Sequence, residues 1–223
     1  MEKIRITYFS DILCIWAYIA QARVDELVSE YDTKVELDYR LFSVFGHAKS
    51  KIERQWREHG GLPAYNQHVI KIAAEFEHIE VSSNIWLQSI PYSSLPSHLC
   101  LCAIRLAESA GKVPYGSFVK AAWRLRCAFF KDAQDISQRS VLRELLVQYR
   151  LPLEIVDSYI DSGEAFLALS EDMQLANEMT VRSSPTLIFN EDRQRLAGNV
   201  GYRIIEANIR ELIDRPERQH SWC

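Results

Sequence analysis

One cysteine, Cys14, stands at a position where a thiol could act as a nucleophile. It follows segment 3–9, whose alternating apolar and polar residues predict a strand, and it opens a run with helical periodicity. The N-terminus of a helix presents unpaired N–H groups and a partial positive charge, and both stabilise a thiolate. Because the thiolate is the nucleophilic form, this position predicts a reactive cysteine. The alternative is a buried, inert cysteine, and an Asp11 carboxylate pointing at the sulfur would disfavour ionisation.

Pro185 is the second candidate, since it stands at the start of the short apolar segment 185–189. Proline removes one donor from a strand ladder, and prolines at such positions are often cis. A cis bond would turn the backbone of Ser184 outward and offer its N–H and C=O to a peptide-like ligand. The alternative is an ordinary trans proline that begins a strand.

The elements that must position these residues fall into three blocks along the chain. A β-α-β pattern over residues 3–42 is followed by helical periodicity, without a convincing strand, from about 63 to 179. Two short strands at 185–189 and 193–197 and a helix at 202–214 complete the order. A β-α-β opening usually pairs its strands in parallel. We therefore expect an α/β fold in which the two ends form one sheet and the helices are inserted between them.

Composition excludes several classes of protein. The 223 residues carry a formal charge of -4, whereas a nucleic-acid-binding surface needs clustered basic residues. No stretch approaches the roughly 20 apolar residues of a membrane helix, and the first residues lack the apolar core of a signal peptide. The five cysteines are odd in number and fit no disulfide framework. These features predict a cytoplasmic protein with free thiols and no membrane or nucleic-acid partner.

Cysteine and histidine spacing gives no metal site. The close spacing of His98, Cys100 and Cys102 along the sequence resembles that of metal ligands, but residues two apart on a helix point to different sides. We expect these three side chains to pack in the core and Cys127 to be structural. Cys223 lies near the chain end, where a role in resolving a mixed disulfide is an alternative to none.

The residues at 10–18, Ser-Asp-Ile-Leu-Cys-Ile-Trp-Ala-Tyr, resemble the active-site segment of DsbA-family thioredoxin-fold proteins, Asp-x-x-Cys-Pro-Trp-Cys-Tyr. Segment 183–186 is similar to the family's cis-proline loop. Further similar segments are Phe129-Phe130 with 135–142, in the inserted helical domain, and Gly198 with Gly201-Tyr202, before the last helix. The resemblance spans Ile4 to about Ile213.

This resemblance implies a thioredoxin-like fold with an inserted all-helical domain. We expect residues 1–60 and 180–216 to form the thioredoxin-like domain and residues 61–179 to form the helical insertion. Residues 217–223 would be a flexible tail.

Two departures from the family pattern change the expected chemistry. Ala17 replaces the second cysteine and Ile15 replaces the proline, so Cys14 cannot close the usual intramolecular disulfide. One-thiol exchange remains, in which a mixed disulfide is resolved by an external thiol such as glutathione. Kappa-class glutathione transferases and 2-hydroxychromene-2-carboxylate isomerases share the architecture and use glutathione, generally with serine at this position. The retained cysteine favours covalent chemistry.

The same resemblance implies where glutathione, as a co-substrate, would bind. Its backbone would pair with Ser184 beside Pro185, and its γ-glutamyl end would lie near Asn199 and Tyr202. A helix N-terminus also suits that carboxylate on physical grounds. Trp16 would form part of the rim of the site, with simple packing as the alternative.

Three hypotheses about function follow. The first is a DsbA-family monothiol-disulfide oxidoreductase that acts through Cys14 with glutathione. The second is a glutathione-dependent isomerase or transferase for a small aromatic substrate, in which Cys14 polarises bound glutathione. The third is a non-enzymatic protein that binds a peptide or another protein. Related glutathione enzymes of this architecture are commonly dimers, which leaves a homodimer open.

Overall fold

The computed structural model describes residues 3–215, which form one mixed sheet covered by helices on both faces. The strands are β1 (Ile4–Ser10), β2 (Val35–Leu41), β3 (Thr186–Phe189) and β4 (Gln194–Ala197), in the spatial order β2-β1-β3-β4. The β1 and β2 strands pair in parallel, as the β-α-β pattern predicts. Both β1–β3 and β3–β4 pair in antiparallel fashion, so the C-terminal hairpin joins the N-terminal strands in one sheet.

The helices in this range include one after β1, seven between β2 and β3, and one after β4. Their bounds are α1 (Ile15–Tyr31), α2 (Ala48–Trp56), α3 (Gly61–Ala73), α4 (Leu95–Ser109), α5 (Ser117–Phe130), α6 (Arg139–Gln148), α7 (Leu153–Asp161), α8 (Glu164–Glu178) and α9 (Tyr202–Asp214). None of the helices between residues 3 and 215 has the length and apolar character that a membrane crossing requires.

The alternation along β1 sends successive side chains to opposite faces of the sheet. Ile6 and Tyr8 pack with apolar residues of α1 and α9, including Leu27 and Ile209. Phe9, on the other face, packs with residues at the end of α8. The sheet is therefore buried on both faces, as the thioredoxin-like architecture implies.

The helical periodicity predicted from about 63 to 179 is found in α3 to α8, but residues 74–94, between α3 and α4, form no helix. Helix α2 was not predicted, because among its nine residues only Ala48 and Ile52 are buried and the exposed positions are polar or charged. This helix lies on the thioredoxin-like side of the domain boundary that we propose at residue 60. The proposed tail at 217–223, including Cys223, lies outside the described residues.

Candidate functional site

Strand β1 and helix α1 place Cys14 at the edge of the sheet. The strand ends at Ser10, a turn follows in which the Cys14 amide donates to the Asp11 carbonyl at 3.2 Å, and the helix begins at Ile15. Cys14 is the N-cap residue, and its carbonyl accepts the first helical hydrogen bond, from the Tyr18 amide at 3.1 Å. The thiol thus lies beside the N-terminus of α1, where the sequence placed it.

The start of β3 lies directly against this turn. The antiparallel register pairs Phe9 with Thr186, which brings the cis Ser184–Pro185 bond alongside Cys14. The thiol Sγ of Cys14 donates to the Ser184 carbonyl oxygen at 3.1 Å. The structure therefore brings together three predicted site residues, and in it the Ser184 carbonyl faces the thiol. No residue in the described part of the chain accepts a hydrogen bond from the Ser184 amide.

The protonation state of Cys14 differs from the prediction. Burial raises the pKa of the Cys14 thiol, which is only 6% exposed, and the Asp11 carboxylate adds to the rise. Hydrogen bonds from Ser184 and from the amides of Ala17 and Trp16 act in the opposite direction. The expectation that the helix N-terminus makes Cys14 a thiolate is therefore wrong for this conformation, because desolvation outweighs the helix N–H groups. The resting thiol is protonated at neutral pH.

A buried carboxylate, that of Asp11, organises the turn. Its Oδ1 accepts from the Leu13 amide at 2.9 Å, and its Oδ2 accepts from the Phe45 amide at 2.7 Å and the Ser94 hydroxyl at 3.0 Å. The Asp11 amide in turn donates to the Ser184 hydroxyl at 2.8 Å. One side chain thereby ties the Cys14 turn to the segment after β2 and to the start of α4.

His98 is a site residue that sequence reasoning missed. Its Nε2 accepts from the Ile12 amide at 3.2 Å and lies 3.6 Å from Asp11 Oδ1. Burial lowers the pKa of this fully buried imidazole, so it is neutral and positions the turn by accepting a hydrogen bond. The sequence carried no signal for this role, since 84 residues separate His98 from Cys14 in the numbering. Between residues 3 and 215, no group of three His, Cys, Asp or Glu side chains could hold a metal ion.

Lys51 is a second residue missed at the sequence level, because α2 was not predicted. Its Nζ donates to the Val44 carbonyl at 2.9 Å and lies 4.7 Å from the centre of the Phe45 ring. Burial lowers the pKa of this amine, whereas the charges of Asp11 and Cys14 act to raise it. The amine of Lys51 thus lies close enough to Asp11 and Cys14 for their charges to favour its protonated form.

Trp16 and Ala17, the last two residues of the Cys-x-x-Ala segment, have different surroundings. Trp16 is half-buried and meets the edge of the Phe76 ring at a centroid distance of 6.5 Å. Ala17, which stands where the family has its second cysteine, is fully buried. Trp16 is therefore both packed and partly accessible beside the thiol.

Asn199 and Tyr202 contact α1 at residues farther from its N-terminus, away from the Cys14 thiol. The Asn199 side-chain oxygen accepts from Arg23 at 2.5 Å, and the Tyr202 hydroxyl donates to Glu30. At 1.5 Å rise per residue, Glu30 lies about 24 Å from Cys14 along the helix axis. The structure does not bring Tyr202 next to Cys14, and its role in a ligand site stays a proposal.

Comparison with known proteins agrees with this architecture. Among solved structures, a probable DsbA oxidoreductase from Streptomyces coelicolor superposes with a TM-score of 0.74 at 18% identity, over 97% of this chain and 92% of the other. The cytosolic disulfide reductase DsbM from Pseudomonas aeruginosa, solved with GSH, gives 0.63 at 20% identity over 92% and 99%. A 2-hydroxychromene-2-carboxylate isomerase gives 0.63 at 12% identity over 94% and 96%. These likenesses concern the fold.

Curated relatives share sequence over part of the chain. The ClpXP adapter protein SpxH of Bacillus licheniformis is 31% identical over 126 residues, which are 54% of this chain and 41% of the relative. SpxH of Bacillus subtilis is 26% identical over 140 residues, or 60% and 46%. The matched regions span less than half the length of these relatives.

The family assignment comes from a match to almost the whole chain. The model of the DSBA-like thioredoxin domain matches residues 5–210, from β1 into α9. This range includes the Cys14 turn, the helical block and the Ser184–Pro185 segment. The chain belongs to the DSBA-like thioredoxin domain family.

Proposed function

We propose that this protein is a monothiol-disulfide oxidoreductase in which Cys14 exchanges disulfides with glutathione as the second thiol. The observation that carries the proposal is the position of Cys14 Sγ, 3.1 Å from the Ser184 carbonyl and at the N-cap of α1. The Ser184 amide has no acceptor within residues 3–215, so it can bind the backbone of an extended thiol or disulfide ligand. The cytosolic DsbM, solved with GSH, supports glutathione and a cytoplasmic location by fold likeness.

The exchange consists of two balanced displacements. The Cys14 thiolate attacks the glutathione sulfur of a mixed disulfide, which forms a Cys14–glutathione disulfide and releases the substrate as a thiolate that takes up a proton. A second glutathione thiolate then attacks the glutathione sulfur of that adduct. Oxidised glutathione leaves, and Cys14 is regenerated as a thiolate. Ala17 supplies no thiol, so the second step depends on external glutathione.

Proton loss from Cys14 is the step that the resting structure opposes. Burial raises the pKa of the Cys14 thiol, and the thiol donates a hydrogen bond to the Ser184 carbonyl oxygen. A ligand that takes this carbonyl as its own acceptor would displace the thiol hydrogen bond. The nearby Lys51 cation then favours the thiolate over the thiol.

Reduction of a glutathionylated peptide tests the proposal. The protein with reduced glutathione should release the free peptide, and Cys14→Ser should lower the rate at least about 100-fold because the nucleophile is lost. Cys127→Ser is the matched control, since Cys127 is a half-buried cysteine elsewhere in the fold, next to Tyr18. Equal rates for wild type and Cys14→Ser would refute the proposal. Glutathione binding without exchange that survives Cys14→Ser would favour the isomerase or transferase hypothesis.

A second candidate is a protein-binding adapter, favoured by the sequence similarity to SpxH and by the buried, protonated state of Cys14. This function predicts binding to the ClpXP protease of the same organism, with equal affinity for wild type and Cys14→Ser. Titration of labelled protein with purified ClpX, followed by fluorescence anisotropy, measures it. Absence of binding at micromolar concentrations would remove this candidate.

A further inference from the structure

A cavity lies beneath the sheet edge, between β1, β2, α1 and α5. Its empty volume is about 320 Å³, which includes the space at a mouth open to solvent. Partly exposed Arg40 contributes to its wall, and the other lining residues that carry polar groups are Tyr8, Ser10, Gln21, Tyr39 and Arg126. The remaining lining side chains are mostly apolar, so few groups in the cavity can compensate a charge.

Arg126 brings a buried positive charge to this cavity. The residue is 2% exposed, and its guanidinium donates to Gln21 Oε1 at 2.7 Å and to Ser10 Oγ at 3.0 Å, both neutral acceptors. Its Nε has no hydrogen-bond partner. Among residues 3–215, no carboxylate oxygen lies within 4.0 Å of this guanidinium. A buried cation whose direct acceptors are neutral is costly, so its charge would stabilise an anion that reached this guanidinium.

Tyr8 supplies a second unpartnered donor to the same cavity. Its hydroxyl oxygen is buried without a hydrogen-bond partner, although the residue is 1% exposed. Burial raises the pKa of Tyr8 to about 12; the Arg126 charge and the nearby Ser10 hydroxyl act to lower it, whereas the Cys14 and Asp25 charges act to raise it. The hydroxyl keeps its proton at neutral pH and can donate it.

The carboxylates around the cavity either pair with other guanidinium groups or lie beyond a neutral side chain. The Asp172 carboxylate is shared by Arg40 and Arg105, and Arg40 also pairs with Asp38. The Asp25 carboxylate lies behind the Gln21 amide, which donates to it at 2.8 Å, and the Asp25 charge acts on Tyr8 from there. Among residues 3–215, Arg126 therefore has no carboxylate in direct contact.

We propose that this cavity binds a small monovalent anion, of the size of chloride, between Arg126 Nε and the Tyr8 hydroxyl. The enclosed space is about that of one water molecule, which leaves room for no more than a single-atom anion and excludes a phosphate or a larger carboxylate. A water molecule would satisfy the two donors but would leave the buried charge unbalanced. The bound anion contacts Tyr8 of β1 and Arg126 of α5, and it thereby links the sheet to the inserted helices.

Bromide replacement in crystals is the direct test, because bromide scatters anomalously at an accessible wavelength. Wild-type crystals grown with sodium bromide should show an anomalous peak within hydrogen-bond distance of Arg126 Nε and the Tyr8 hydroxyl. Density for water alone at that position, or no density, would overturn the proposal. This test needs no variant, so a folding defect cannot obscure it.

Halide-dependent stability provides the solution measurement. Replacing sodium gluconate with sodium chloride at constant ionic strength should raise the Tm of the wild type, since a ligand that binds only the folded state stabilises it. Arg126→Met should abolish the shift, and Tyr8→Phe should weaken halide affinity about tenfold through loss of one hydrogen bond to an ion. Arg124→Met, on the exposed side of α5, is the matched control and should keep the shift. A wild-type Tm that does not change would count against the site.

Discussion

The two ends of the predicted glutathione site are held in very different ways. At the inner end, Cys14, Ser184 and Pro185 meet because β1 and β3 pair along their main chains, and Asp11 ties the turn from beneath. At the outer end, Asn199 and Tyr202 make solvent-exposed hydrogen bonds with side chains of α1. The thiol end of the site is therefore held by the fold itself, whereas the outer end is held by side-chain contacts that a ligand can replace.

The largest effect is expected from removing the Asp11 carboxylate. Asp11→Ala leaves the Leu13 and Phe45 amides and the Ser94 hydroxyl without their acceptor, so it should lower the free energy of unfolding by about 3 kcal/mol or more. Urea denaturation measures the change. The exposed Asp132→Ala is the control and should stay within about 0.5 kcal/mol of wild type. Equal free energies of unfolding for Asp11→Ala and Asp132→Ala would show that the Asp11 carboxylate does not stabilise the inner end of the site.

The reactivity of Cys14 should rise steeply with pH. Because burial raises the pKa of the thiol, the rate of its alkylation by iodoacetamide should increase about tenfold per pH unit from pH 7 to pH 9 without a plateau. Asp11→Asn removes a like charge and should shift the profile toward lower pH. Peptide mapping of the labelled protein reports the rate. A plateau below pH 8 would show that the thiol is activated and that burial does not dominate.

The same raised pKa links Cys14 to stability. The unfolded chain loses the thiol proton at a pH near 8.5, whereas the folded protein holds it to higher pH, so the stabilisation is complete below pH 8.5. Above that pH, the contribution of Cys14 should fall by about 1.4 kcal/mol per pH unit until the folded thiol also ionises. The difference in unfolding free energy between wild type and Cys14→Ser isolates this residue. A difference that is constant from pH 8 to pH 10 would contradict it.

The smallest effects on the fold are expected at the outer end. Asn199→Ala and Tyr202→Phe should each change the free energy of unfolding by less than about 0.5 kcal/mol, because the hydrogen bonds that they remove are exposed to solvent. If Asn199 holds the γ-glutamyl group, Asn199→Ala should raise the KM for glutathione about threefold to tenfold and leave kcat unchanged. Tyr202→Phe should leave the KM unchanged, because Glu30, the partner of Tyr202, lies about 24 Å from Cys14 along α1. Steady-state kinetics separate the two constants. An unchanged KM in both variants would restrict the site to its inner end.

The sequence predicted most of the helices and strands and the residues that meet at the inner end of the site. Strong periodicity located β1, α1, β2 and most helices of the block, and the strand pairing it implied brings Cys14 to Ser184 and Pro185. Helix α2, with few buried positions, gave too weak a pattern. With it went Lys51.

The long-range polar contacts of the site could not be predicted from spacing. Asp11 reaches Phe45 and Ser94, and His98 reaches Ile12, through contacts that depend on how α4 packs against the β1 turn. The net effect on the Cys14 pKa depends on the depth of burial, which a helix N-terminus in a sequence does not reveal. Local patterns thus predict which residues meet in a sheet, but not which polar groups converge beneath it.

Mapping the adducts that oxidised glutathione forms with the reduced protein tests most directly whether Cys14 is the reactive thiol. We expect a glutathione adduct on Cys14 that forms slowly at pH 7 and about tenfold faster with each pH unit up to 9, while buried Cys100 and Cys102 remain unmodified. Mass spectrometry of the peptides, with Cys14→Ser as the control, measures each site. An unmodified Cys14 at pH 9 in folded protein, with Cys127 modified in its place, would contradict the assignment of Cys14 as the reactive thiol.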